Sequence, residues 1–124
     1  MKPSKFQTDC IKYIITGHDD LITLLDQISD LNVVSIEHTG VGYICDYKVD
    51  DLDFVLNEDD DIIIISGDEV EAAVLPHGAV ITLRIYKGAI DSLEIFANDS
   101  NFPLIELTEY TFSSPPVNII EINN

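Results

Sequence analysis

Two alternating apolar runs, joined through a glycine in "AVITLRIYKGAIDSLEIFA" at residues 79–97, constrain the fold more than any other feature of the chain. Ile81, Leu83 and Ile85 share one face of a strand, and Leu93 and Ile95 share one face of the next. Because side chains alternate with period two, a one-residue slip between such strands turns a whole apolar set to the wrong side. A two-residue loop at Lys87-Gly88 sets Leu83 against Ser92 and puts the two sets out of phase. A three-residue loop, Lys87 to Ala89, pairs Leu83 with Leu93 and Ile81 with Ile95. It also brings Thr82 opposite Glu94 and Arg84 opposite Ser92. The longer loop is therefore the prediction.

The same period governs Val41, Tyr43, Cys45, Tyr47 and Val49, which alternate with Gly42, Ile44, Asp46, Lys48 and Asp50. Before this run, "NVVSIEH" places Val34 and Ile36 on one face, and "TGVG" supplies the glycines of a hairpin or bulge. Asp61 to Ser66 is a short β-branched run, read as a strand covered on both faces. Val70, Ala72 and Val74 read as a further strand carrying Glu69 and Glu71 outward. "LIELTEYTF" gives another strand after Pro103, and "VNIIEINN" either adds an edge strand or packs loosely.

The first thirty residues follow a helical period instead. Phe6, Cys10, Tyr13 and Ile14 recur at three and four, as do Leu21, Leu24, Leu25 and Ile28. Ser4 caps a first helix that Gly17 ends, and Asp19 or Asp20 caps a second. No repeat, linker or low-complexity block divides residues 1–124. The fold class is a single α+β domain, with the N-terminal helix or helices packed on a mostly antiparallel sheet.

Charge bears on partners. The chain carries 23 acids against 6 bases, a formal net charge of -17, yet 46% of it is hydrophobic, enough for a real core. Nucleic acid and anionic membrane would be repelled. A cationic protein would be attracted, and the encounter accelerated. The competing explanation is a solvated surface that serves solubility. Neither an apolar signal core nor a spanning helix is visible, and Cys10 and Cys45 lie among apolar neighbours, so a cytoplasmic protein with reduced thiols is expected.

Enzymatic signatures are scarce. His18, His38 and His77 fall in separate segments without metal-ligand spacing, and no P-loop, dinucleotide or G-x-S-x-G pattern occurs. As a calcium loop begun at Asp51, the acidic run has Leu56 in sixth place and Ile62 in twelfth; begun at Asp59, it has Ile64 and Val70. Both lack the glycine and the glutamate that such a loop needs. No catalytic residue, metal or cofactor is assigned.

At "HTGVGYICDYKV", and again at "AVITLRIYKGAIDSLEIFANDSNFPLIEL", the chain resembles small acidic immunity proteins of bacterial polymorphic toxin and contact-dependent growth inhibition systems. The similar stretch runs from about His38 to Leu107, through Gly40, Gly42, Gly88, Leu93 and Glu94. The resemblance implies a non-enzymatic protein that neutralises a cognate basic toxin, a nuclease in many such systems, by occlusion. The contact set expected from charge is Asp46, Asp50, Asp51, Asp53, Glu58, Asp59, Asp60, Asp61, Asp68, Glu69 and Glu71, with Tyr43 and Tyr47 as weaker candidates. The alternative is a small-molecule-binding or hydrolytic domain with a pocket near His38, His77 and nearby acids. Oligomeric state is left open by the sheet edges.

Overall fold

The computed structural model describes residues 1–50, 62–103, 105–114 and 118–122. Helix α1 spans Lys5–Thr16. The Ser4 hydroxyl accepts the Gln7 amide at 3.1 Å to cap it, and Gly17 closes it with its N–H on the Ile14 carbonyl. Its apolar stripe of Phe6, Cys10, Ile11, Ile14 and Ile15 is fully buried. The second helix, Asp19–Asp30, is wound as 3₁₀ turns. His18 holds its N-cap position and makes no side-chain capping bond. Asp19 and Asp20 therefore lie inside the first turn rather than at the cap, still at the positive end of the helix.

The strands are β1 (Leu31–His38), β2 (Gly42–Val49), β3 (Ile62–Ala72), β4 (Leu75–Tyr86), β5 (Ala89–Ala97), β6 (Thr111–Ser113) and β7 (Asn118–Ile122). They form one sheet in the order β1-β2-β5-β4-β3, with β6 and β7 both pairing along the far edge of β3. Every pairing among the described residues is antiparallel. Tyr43, Cys45, Tyr47 and Val49 point to the helices and are buried, as the alternation requires, while Asp46, Lys48 and Asp50 face out. With Ile65, Ile81, Leu83, Ile85, Leu93 and Ile95 they build a single core against the helical stripe. The architecture is α+β, with the helices on one face of the sheet.

The β4–β5 register is Leu83 with Leu93, Ile81 with Ile95, Thr82 with Glu94 and Arg84 with Ser92. It is reached by a different route from the one expected. The connection is the tight turn at Lys87-Gly88, both residues at positive φ (53° and 76°), the backbone of a primed hairpin turn. The phase is restored because Ile85 pairs with Ile90 and Arg84 with Ser92, leaving Asp91 as a one-residue bulge.

Strand β3 corrects two further expectations. The stretches expected as separate strands are one 11-residue strand, interrupted by a bulge at Gly67 between the pairs Ser66–Thr82 and Asp68–Ile81. Ile65 and Val70 are five residues apart, so both can face the core only if one residue is inserted between them. The same insertion turns Asp68 inward. Of the isoleucine run, only Ile65 is fully buried; Ile62, Ile63 and Ile64 are half-buried. Among the described residues of "LIELTEYTF" only Thr111 and Phe112 are strand, the start of β6. The preceding residues are held by side chains instead, Glu106 by hydroxyls and Leu107 by the core.

Candidate partner-binding face

The register collects the Thr39–Val41 turn, the β3–β4 turn at Ala73 and Val74, and the chain leaving Ala97 at one end of the sheet. Residues 98–103 and 105–110 cross this end. Two backbone bonds pin the crossing: Phe102 N–H to the Gly40 carbonyl at 3.1 Å, and Asn98 N–H to the Gly78 carbonyl at 2.9 Å. The glycine of "TGVG" that closes the frame is Gly42, where an added Cβ would stand 1.7 Å from the Ile95 carbonyl oxygen. Strands β2 and β5 approach too closely there for any other residue.

Three depressions adjoin along this end. The largest, a groove of about 640 Å³, is lined by Glu69, Glu71, His77, Glu109, Tyr110 and Thr111 with small residues of the β3–β4 turn. No lysine or arginine is among these lining residues. The outer face of β3 delivers Glu69 and Glu71, since the Gly67 bulge puts them opposite in phase to Val70. Ala73 and Glu109 also line the next depression, about 310 Å³, whose remaining wall includes Val74, Pro103, Ile105 and Leu107. Ile105 is 82% exposed and Val74 58%, an apolar pair held in water beside acids.

Pro103 and Glu106 in turn line a third, smaller depression of about 90 Å³ with Gln7, Ile36, His38, Tyr43 and Phe102. Here Glu106 accepts the Ser4 hydroxyl at 2.8 Å and the Tyr43 hydroxyl at 3.1 Å to each carboxylate oxygen. Gln7 accepts the Tyr47 hydroxyl at 2.9 Å and the Cys45 thiol at 3.5 Å. Burial, and then the Glu106 charge, push the Tyr43 phenol far above its ordinary range, so it stays a donor. Cys10 and Cys45 are both buried free thiols, raised first of all by burial.

The acids singled out by charge are thus dispersed. Glu69 and Glu71 come together in the groove. Asp46 lies mid-sheet on the outer face, accepting the Ser35 hydroxyl at 2.9 Å, in a region where Arg84 pairs with Asp91 at 3.4 Å. Asp50 is at the opposite end of β2, exposed, and accepts the Asn32 amide. Asp68 is not a surface acid: it is 4% exposed on the helix side of β3, where the bulge turns it. Burial raises its carboxyl above the ordinary value, opposed by a hydrogen bond with Ser114 and by the charge of His18. Asp51, Asp53, Glu58, Asp59, Asp60 and Asp61 lie outside the described residues. Tyr43 and Tyr47 belong to the core.

Glu106, Glu109 and Tyr110 are the site residues that periodicity missed, because their segment follows none. A clue was present in "ELTEY", which spaces two acids three apart in a stretch bounded by proline and an aromatic run. His38 and His77, expected to share a pocket in the hydrolytic alternative, line separate depressions. Among the described residues, no group of three or more His, Cys, Asp or Glu side chains is placed to hold a metal ion. Nor is any helix there long and apolar enough to cross a membrane. Comparison with known protein families, curated proteins and solved structures finds no match.

Proposed function

We propose that the chain is an immunity protein that binds a basic toxin, a nuclease by preference, and neutralises it by occluding its active site or nucleic-acid-binding surface. The observation that carries this reading is the groove in which Glu69, Glu71 and Glu109 converge without a lysine or arginine, continuous with the exposed Ile105 and Val74. Charge of one sign in a concavity concentrates field and speeds encounter with a cation. A neighbouring apolar surface supplies what charge alone does not, area that is desolvated when the partner seats. A surface that attracts phosphate-binding lysines and arginines would also cover the groove they serve. The resemblance to immunity proteins over residues 38–107 supports the same reading.

The test is association with the toxin domain that this reading expects to be encoded beside the chain, measured as rate against ionic strength. The wild-type chain is expected to form a complex whose association slows steeply with salt, because screening acts over roughly 8–10 Å at physiological strength. The nuclease activity of the bound toxin should be lost. A chain that forms no complex with that domain would overturn the reading.

A further inference from the structure

The small depression at the His38 end of this face combines aromatic walls with a carboxylate that, among the described residues, forms no salt bridge. His38 and Tyr43 meet at 5.9 Å between ring centroids, inclined by 64°, and Tyr43 and Phe102 at 5.7 Å, inclined by 88°. The rings therefore form corners rather than a stack. Glu106 takes hydroxyl donors from Ser4 and Tyr43, and among the described residues it has no lysine or arginine partner. A half-buried carboxylate next to ring faces is the chemistry that holds an ammonium, by charge and by attraction to the ring quadrupoles.

We propose that this depression, between the adjoining ends of β1 and β2, α1, and Phe102, Pro103 and Glu106, receives one lysine side chain of the basic partner, with Glu106 as its counter-ion. Size selects the occupant. A volume of about 90 Å³ matches roughly three waters, enough for an ammonium and its last methylenes and well below the roughly 300 Å³ at which small-molecule sites begin. Donor geometry selects lysine over arginine. A guanidinium binds best as a fork across two carboxylate oxygens, and both oxygens of Glu106 already accept hydroxyl groups. A single ammonium needs only a remaining lone pair. Pro103 and Glu106 join the pocket to the exposed Ile105 surface, so a partner seated on the acidic groove has the pocket within the same footprint.

The assignment of the lysine to a toxin rests on the reading above; the pocket's affinity for an alkylammonium does not. The experiment is therefore an amide chemical-shift titration of the intact chain with n-butylammonium chloride at constant ionic strength. It is run near pH 8, with n-butanol as the uncharged control. Saturable shifts at His38, Tyr43, Phe102 and Glu106 are expected, absent with n-butanol. Glu106→Gln should raise the half-saturation concentration by roughly tenfold or more, the value of a charged hydrogen bond. His38→Ala, which removes only an exposed wall, should raise it by roughly two- to fivefold. Equal shifts with n-butanol overturn the proposal. So do shifts that climb without saturating and scatter over Glu69, Glu71 and Glu109, or unchanged half-saturation in Glu106→Gln. Should that variant unfold, unchanged half-saturation in His38→Ala overturns it alone. No toxin enters the titration, so a failed pocket leaves the groove to be judged by its own association kinetics.

Discussion

The two ends of the sheet use similar polar groups to opposite effect. At the Lys87-Gly88 end, Gln27 is fully buried, donating to the Gly88 carbonyl at 2.8 Å and accepting the Ile90 amide at 2.9 Å. Both ends of one side chain are spent on fixing the hairpin to the 3₁₀ helix. At the other end, Glu106 spends its bonds on Ser4 and Tyr43 but keeps its charge uncompensated, and Glu69, Glu71 and Glu109 line an open groove. One end is closed by satisfied polar groups; the other leaves acceptors facing water. Residues of the closed end should therefore matter for folding, and those of the open end for binding.

The sharpest way to break that contrast is to strike the frame at the open end. Gly42→Ala places a Cβ 1.7 Å from the Ile95 carbonyl oxygen, so β2 and β5 must separate. We expect a loss of about 3 kcal/mol or more, since strain of this kind is borne by backbone and not by a movable side chain. Denaturant unfolding measures it. A near-native midpoint would show that this end has slack, and that its depressions are not rigidly framed.

Next in size is the closed end. Gln27→Leu keeps the volume but strips the Gly88 carbonyl and the Ile90 amide of their partner, at about 1–3 kcal/mol for each buried group left unmet. Stability should fall by about 2–6 kcal/mol while partner affinity of the folded fraction is unchanged. Changed affinity would mean that the two ends are coupled, and the division between them would fail.

The groove should behave in the reverse sense. Changing Glu69, Glu71 and Glu109 together to Gln is expected to slow association with a basic toxin by roughly tenfold at low salt and to flatten the salt dependence. The thermal midpoint should hold or rise slightly as self-repulsion falls. If rate and salt slope match wild type, these acids serve solubility only.

How much of this could be read from the chain varies with the kind of force involved. The β4–β5 register was legible because burying Leu83, Leu93, Ile81 and Ile95 together leaves one phase open. The turn that achieves it was not, because a bulge at Asp91 and a longer loop change the phase by the same single residue. Helix α1 was legible to its caps, Ser4 and Gly17. The acids were the least legible. Charge identifies a residue type that avoids burial on average, but the Gly67 bulge overrides that average at Asp68 in order to bury Val70. Glu106 and Glu109 went unnoticed because tertiary hydroxyl bonds and crossing geometry, with no local period, place them.

Asp68 offers the finest test of that distinction, because it is an acid on the wrong side of the sheet for binding. Its carboxyl is raised above the ordinary 3.8, first by burial, with Ser114 and His18 opposing. The folded chain therefore keeps this proton at a pH where the unfolded chain has already released it. Stability rises with pH only where the unfolded state binds more protons, and here the folded state binds more. As pH climbs from about the unfolded value through the raised folded one, Asp68 must cost stability, and the cost persists above that window. Asp68→Asn keeps an oxygen that can accept from Ser114 and removes the titration. The variant should be slightly more stable than wild type at neutral pH, and the two should converge below the ordinary carboxylate range. Loss of any one acid also relieves the net charge of -17, so exposed Glu71→Gln is the control. The measurement is the thermal midpoint of all three chains against pH. A gain in Asp68→Asn larger than in Glu71→Gln, and confined to the pH range above the unfolded value, identifies the burial cost. Equal gains would reduce Asp68 to one more charge among many, and would remove the physical reason for separating it from the acids of the groove.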